Sequence, residues 1–242
     1  MNCTPQQIYD KLVNEDKILT LKGQIKFFLG DGSIVVKQKD VVGNIIQEWL
    51  EGWLVKHNIE FAPNTNTQMP PDLFLNPNDK TQDLIEVKAF NRQASPGFDI
   101  ADFKAYIREI VEHPYMLHAQ YLIFGYKMSN EGVVTIADLW IKNVWEITRS
   151  SKQWAINVQY KNKMIHKIRP CIWYSNKKTQ YPIFQSLEHY LSAIEETIYA
   201  YPETRNEAVG WKKRMEDSYN KFYHTKISIP RWMDIENLYR LE

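Results

Sequence analysis

Two carboxylates and a lysine are spaced so that they could work on a single phosphate group. Asp72 follows Pro70-Pro71 and precedes the apolar Leu73-Phe74-Leu75, while Glu86 and Lys88 sit in Asp83-Leu84-Ile85-Glu86-Val87-Lys88-Ala89-Phe90. Both stretches read as short strands, the first opened by its prolines, with the polar Asn76 to Gln82 as the loop between them. Side chains alternate across a strand, so Ile85 and Val87 point into a core while Leu84, Glu86 and Lys88 point the other way. The fourteen residues from Asp72 to Glu86 suit a hairpin. Paired carboxylates bind a hard divalent cation through oxygen. An adjacent lysine can hold a phosphate or stabilise negative charge developing on it. The plainer reading of the same residues is a Pro-Asp turn and a solvated Glu-Lys pair on a strand face. The surroundings have to separate the two.

The clearest element around this hairpin is a helix just before it. Over Asp40 to His57, Val42, Ile45, Ile46, Trp49, Leu50 and Trp53 recur at helical spacing and form one broad apolar face. Glu48 and Gln47 lie on its two flanks, and Gly43 could permit close packing on a sheet. Further upstream, Thr4 as N-cap and Pro5 in the first turn start a short helix. Ile25 to Leu29 and Ser33 to Lys37 read as two strands around Gly30-Asp31-Gly32. Downstream, Asp99 to Val111 reads as a helix with Lys104 and Arg108 on one face, ended by Pro114. His118 to Tyr126 and Val133 to Ile141 are apolar strands, the first central in the sheet. Phe184 to Tyr199 and Ala208 to Tyr223 are helices. The order is α/β, a mixed β-sheet flanked by helices.

The chain has 242 residues, 44% of them hydrophobic, enough for one large domain. We expect the domain to divide into about 38–145 and about 146–242. The formal net charge of +1 does not by itself announce a nucleic-acid partner. The distribution does more. From Lys152 to Lys178 there are seven basic residues and no acidic one, with Trp154, Tyr160, Trp173 and Tyr174 interleaved. Ala155 to Tyr160 and Met164 to Arg169 resemble a hairpin turning at Lys161-Asn162-Lys163. Such a basic β-hairpin suits phosphate tracking or groove entry, or else it is a solvated surface run. Cys3 and Cys171 form neither a zinc spacing nor a disulfide framework. No apolar run approaches a membrane span, and no apolar signal region is visible, so a soluble cytoplasmic protein is expected. The histidines are scattered, without HExxH, and no GxSxG or Walker-type loop occurs.

Pro71-Asp72, a spacer, then Glu86-Val87-Lys88 resembles the PD-(D/E)xK nuclease superfamily, which holds most type II restriction endonucleases. Glu86 to Asn91 together with Ser95-Pro96-Gly97-Phe98-Asp99 looks like the NgoBV/NlaIV family within it. The resemblance implies a single endonuclease domain with a restriction-endonuclease-like catalytic core over about 38–145, and with a basic β-hairpin and C-terminal helices as DNA-recognition elements over about 146–242. It implies Mg²⁺, with Mn²⁺ as substitute, at Asp72 and Glu86 with the Val87 backbone carbonyl as a further ligand. Lys88 would position water or stabilise the charged phosphate. A helix before the motif contributes a further acid in this superfamily, and Glu48 is the candidate; its alternative is a flank carboxylate in water. The implied activity is hydrolysis of both strands of double-stranded DNA at a short palindromic site, GGNNCC, by a homodimer. A cognate DNA methyltransferase would be its genetic partner without a stable complex. DNA contacts are expected at Asn91, Lys104, Lys161, Lys163, Lys167 and Arg169. Two other readings stay open: a repair or junction-resolving nuclease of the same superfamily, and a non-catalytic DNA-binding protein whose binding needs no metal.

Overall fold

The computed structural model describes residues 2–66, 69–175 and 181–240. Lys177 and Lys178, the end of the expected basic run, lie outside the described residues. In chain order the elements are α1 (Pro5–Asp10), β1 (Lys22–Gln24), β2 (Lys26–Leu29), β3 (Gly32–Val35), α2 (Val41–Lys56), β4 (Ala62–Pro63), β5 (Leu73–Phe74) and β6 (Leu84–Asn91). They continue with β7 (Ala101–Asp102), α3 (Phe103–Glu112), β8 (Gln120–Met128), β9 (Val133–Lys142), β10 (Val158–Lys161), β11 (Met164–Ile168), α4 (Leu187–Ala200), α5 (Trp211–Tyr223) and α6 (Trp232–Ile235). They form two compact units. The first comprises Met1–Thr65, Pro71–Phe98 and Gln120–Lys142, and the second Asn66–Pro70, Asp99–Ala119 and Asn143–Glu242.

The first unit is built on a six-stranded mixed sheet in the order β1-β9-β8-β6-β5-β4. β6 and β8 run parallel, and the other pairings are antiparallel. The apolar run of β8 stands centrally, as its composition requires: Tyr121 to Tyr126 are all buried. α2 covers one face. Val42, Ile46, Leu50, Trp53 and Leu54 are buried in one cluster with Ile85, Val87, Leu122 and Phe124. The helical repeat therefore does what its spacing predicts, with one departure. Trp49 is 42% exposed, at the margin of the face, with its ring edge-on to Phe124. Gly43 is not forced by packing, because an added methyl there would lie 4.0 Å from the Ala89 carbonyl oxygen, an ordinary contact. α1 begins as its sequence says. Thr4 accepts from the Gln7 backbone N–H, and the Gln7 side chain returns the bond to the Thr4 N–H.

The second unit carries a three-stranded antiparallel sheet, β10-β11-β7, with α3 to α6. Asp99 to Asp102 is extended, not helical as its composition suggests. Ala101 and Asp102 pair with Ile168 and Lys167, and the Asp102 carboxylate caps α3 by accepting from the Ala105 N–H at 3.1 Å. Three later elements also start after their expected positions, each by three residues, at Val158, Leu187 and Trp211. Ser186 explains the second, since its hydroxyl accepts from the His189 N–H and fixes the start of α4. Leu187, Leu191, Ile194 and Ile198 are all buried, as their spacing predicts. No helix among the described residues is long and apolar enough to cross a membrane.

Candidate active site

Strand register sets the two carboxylates against each other. β5 pairs antiparallel with β6, Leu73 opposite Ile85 and Phe74 opposite Leu84. Continued by one residue, that register puts Asp72 opposite Glu86, and directly opposed residues share a sheet face. Asp72 is held on three sides. Its backbone carbonyl accepts from the Asn64 N–H at 2.9 Å, the Asn64 amide donates to the Pro71 carbonyl at 2.8 Å, and its carboxylate Oδ2 accepts from the Val87 N–H at 2.7 Å. The residue that follows β4 thus braces the Pro-Asp segment against β6.

Glu86 is 4% exposed, although its sequence neighbourhood does not announce burial. Its Oε1 lies 2.6 Å from Lys88 Nζ, and its Oε2 is buried without a hydrogen-bond partner. Burial pushes the Glu86 carboxyl up to about 7; the Lys88 ammonium opposes that shift and the Asp72 charge adds to it. Asp72 is also raised by burial, against the pull of Lys88 and of the Val87 N–H. A buried acid beside a half-buried one, both resisting ionisation and the buried one with an orphaned oxygen, fits a hard divalent cation, and the donor set is all oxygen. Among the described residues no three acidic, histidine or cysteine side chains cluster as a cage. Two carboxylates are what a Mg²⁺ site that also takes phosphate and water commonly provides. Glu48 lies exposed on α2 and does not complete such a cluster.

The period of β6 carries the same face further than the motif alone indicates. Glu86, Lys88 and Phe90 point one way, and Arg92 follows at the end of the strand, where its N–H donates to the Tyr126 carbonyl at 2.8 Å. The Arg92 guanidinium ion-pairs with Asp138 and lies 5.3 Å from the Trp140 ring centre, with Trp140 stacked on Phe90. Gly125 makes this possible, since a methyl there would come within 2.5 Å of the Arg92 stem. Arg92 lies outside the Glu86-Val87-Lys88 motif and is not among the candidate residues that the motif offers. The signal that finds it is the alternation itself, run two residues past Phe90.

Of the expected DNA contacts, Asn91 lies at the end of β6, where its side-chain oxygen accepts from the Gln93 N–H at 3.0 Å. The other five are in the second unit. Lys104 ion-pairs with Glu203, Arg169 with Asp99, and Lys167 approaches Asp102 at 3.7 Å. The basic run lacks acids within itself, but acids from other segments compensate part of it. Lys161 and Lys163 are exposed and form no ion pair among the described residues. They flank Asn162 at the hairpin tip, where Asn162 and Lys163 have φ of 54° and 63°, the backbone of a tight two-residue turn.

Residues 2–239 match the family model described as NgoBV restriction endonuclease. The chain is 61% identical over 237 residues to the type II restriction enzyme NlaIV of Neisseria lactamica, covering 98% of each chain. It is 61% identical over 158 residues to the type II restriction enzyme NgoBV of Neisseria gonorrhoeae, which spans 65% of this chain and 90% of that one. The solved structure of NlaIV restriction endonuclease superposes with a TM-score of 0.96 at 60% identity, over 99% of this chain and 98% of that one.

Proposed function

Since the chain belongs to the NgoBV restriction endonuclease family and is a type II site-specific deoxyribonuclease acting on DNA, we propose that Asp72, Glu86 and Lys88 are its catalytic centre. In this reading Mg²⁺, or Mn²⁺ in its place, is held by Asp72, Glu86 and the Val87 backbone carbonyl. The observation that carries it is the buried Glu86 carboxylate, with one oxygen on Lys88 and the other without a partner, opposite Asp72. A divalent cation bound there would polarise the scissile phosphate and lower the pKa of a bound water.

The chain's own groups have separable tasks. The Val87 N–H fixes the orientation of Asp72. Burial keeps the carboxylates out of bulk water, where their charges act more strongly on what they bind. Lys88 holds its ammonium at the mouth of the pair, placed to stabilise charge that grows on the phosphate. Glu48, from the preceding helix, would order water. Asn91, Lys104, Lys161, Lys163, Lys167 and Arg169 would contact DNA. For the four that the structure describes with acidic or backbone partners, those partners would be exchanged for phosphate or base edges.

A homodimer cutting both strands of a palindromic site, GGNNCC, follows from the resemblance to the NgoBV/NlaIV family, as does a cognate methyltransferase encoded as a genetic partner. A cytoplasmic location goes with that role. Plasmid digestion with Mg²⁺, followed by sequencing of the fragment ends, tests the reading. Discrete ends with two-fold symmetric flanks are expected. Cleavage retained by Glu86→Ala would remove Glu86 from the mechanism. Without metal, Asp72→Ala and Glu86→Ala should bind DNA as well as the wild type or better, because a carboxylate that repels phosphate is gone.

A further inference from the structure

The hairpin of β2 and β3 exposes apolar surface that the fold of this chain leaves uncovered. Among the described residues these strands pair only with each other. Phe27 pairs with Ile34 and Leu29 with Gly32, so Phe27, Leu29 and Ile34 share one face, with Phe28 on the other. Their exposures are 54%, 76%, 63% and 68% in that order. On their shared face Phe27, Leu29 and Ile34 present on the order of 350 Å² of apolar surface, a size at which a patch signals an interaction. A lone two-stranded ribbon is marginal in water, and an apolar one is an aggregation hazard unless covered.

The same unit also carries an open apolar cleft. It measures about 230 Å³ and is lined by Leu21, Gly23, Ile25, Ile45, Trp49 and Val134 among others. This is smaller than an ordinary small-molecule site. Among the described residues that line it Lys22 is the only charged one, so it suits apolar side chains better than a polar ligand. Leu21 and Trp49, 49% and 42% exposed, widen the apolar surface at its mouth.

We propose that the β2–β3 ribbon is the self-association surface of this enzyme, its apolar face docking on the cleft of a second copy of the chain in a reciprocal two-fold contact. The second copy is the occupant because ribbon and cleft lie on one unit and have matching apolar character. A two-fold operation then buries both ribbons and both clefts at once, with the same patch used on each copy. Counted on both copies, one ribbon face and one cleft each come to on the order of 1,000 Å², about what a specific contact between copies has to clear. The assignment rests on the functional reading in one respect. Each chain holds a single Asp72–Glu86–Lys88 site, so cutting both strands of one target calls for two chains.

The test is sedimentation of the full chain without DNA, together with a plasmid assay. Wild type should sediment as a dimer at micromolar concentration. Leu29→Asp and Ile34→Asp place a charge on the ribbon face at exposed positions, and each should weaken the dimer by on the order of 100-fold. Their circular dichroism spectra should not change. Gly23→Phe should do the same from the other side, since a Cβ at Gly23 meets nothing within 4 Å and the ring can fill the cleft. All three should nick plasmid where wild type linearises it. A wild-type chain that is monomeric at high micromolar concentration overturns the proposal. So does a dimer that survives all three substitutions. An unchanged dimer that has lost DNA affinity also overturns it, in favour of an apolar wedge into the duplex. A chain that dimerises through the ribbon but cuts no DNA with any divalent cation would leave the interface standing and remove the nuclease reading.

Discussion

At the scale of single residues, the proposed catalytic centre carries a destabilising buried acid. Glu86 is buried beside Asp72 and only partly compensated by Lys88. Replacing Asp72, Glu86 or Lys88 with Ala should lower cleavage by at least about 100-fold, as loss of a preorganised charge does elsewhere, with the circular dichroism spectrum unchanged. Glu48→Gln should cut the rate with less than about 0.5 kcal/mol of stability change; unchanged kinetics would return Glu48 to a solvated helix flank. The raised carboxyl of Glu86 gives a pH prediction. Its ordinary value is 4.5 and burial pushes it to about 7. Between those values the folded state holds a proton that the unfolded state has released. Stability of the metal-free protein therefore falls as pH rises through that window, by up to roughly 3 kcal/mol. Thermal melts in EDTA should show Glu86→Gln gaining on wild type from pH 5 to pH 8. Parallel melting profiles would mean that Glu86 is not the strained acid.

At the scale of elements, two positions show how backbone geometry serves side chains elsewhere. Gly125 in β8 leaves room for the Arg92 stem and for Trp140. Gly125→Ala should cost about 1–3 kcal/mol by overpacking, measured by denaturant titration, and should shift Arg92 on the face that carries Lys88. At the tip of the β10–β11 hairpin, Lys163 takes a left-handed backbone that glycine prefers. Lys163→Gly should therefore raise the melting temperature while removing a charge. If Lys163 contacts phosphate, the same variant should bind all DNA sequences more weakly, and its log–log salt slope should drop by about 0.9. A stabilised variant with an unchanged slope would place the tip in solvent. This pair of readouts separates turn strain from DNA contact, which an alanine at this position would confound.

At the scale of the molecule, a net charge of +1 means that DNA affinity has to come from local cations and not from the overall field. Lys161 and Lys163 form no ion pair among the described residues, whereas Lys167 and Arg169 face Asp102 and Asp99. In a salt series with Ca²⁺, Lys161→Ala should reduce the slope without destabilising the fold. Arg169→Ala should also lower the melting temperature, because it leaves Asp99 uncompensated beside β11. If both variants bind and melt like wild type, recognition lies outside this hairpin. Much of this architecture is written in local pattern. Alternation alone put Glu86 and Lys88 on one side of β6, helical spacing defined α2, and the turn at Lys161-Asn162-Lys163 placed the basic tip. Those features follow from the periods and steric limits of the backbone, which each short stretch carries within itself. The tertiary structure decided the rest. It buried Glu86 and orphaned its oxygen, set Arg92 against Asp138, and gave the hairpin cations acids from Asp99 and Asp102. It also left Trp49 and the β2–β3 ribbon in solvent and interleaved the two units along the chain. Burial and charge pairing depend on residues far apart in sequence, and those distances close only when the whole chain has folded.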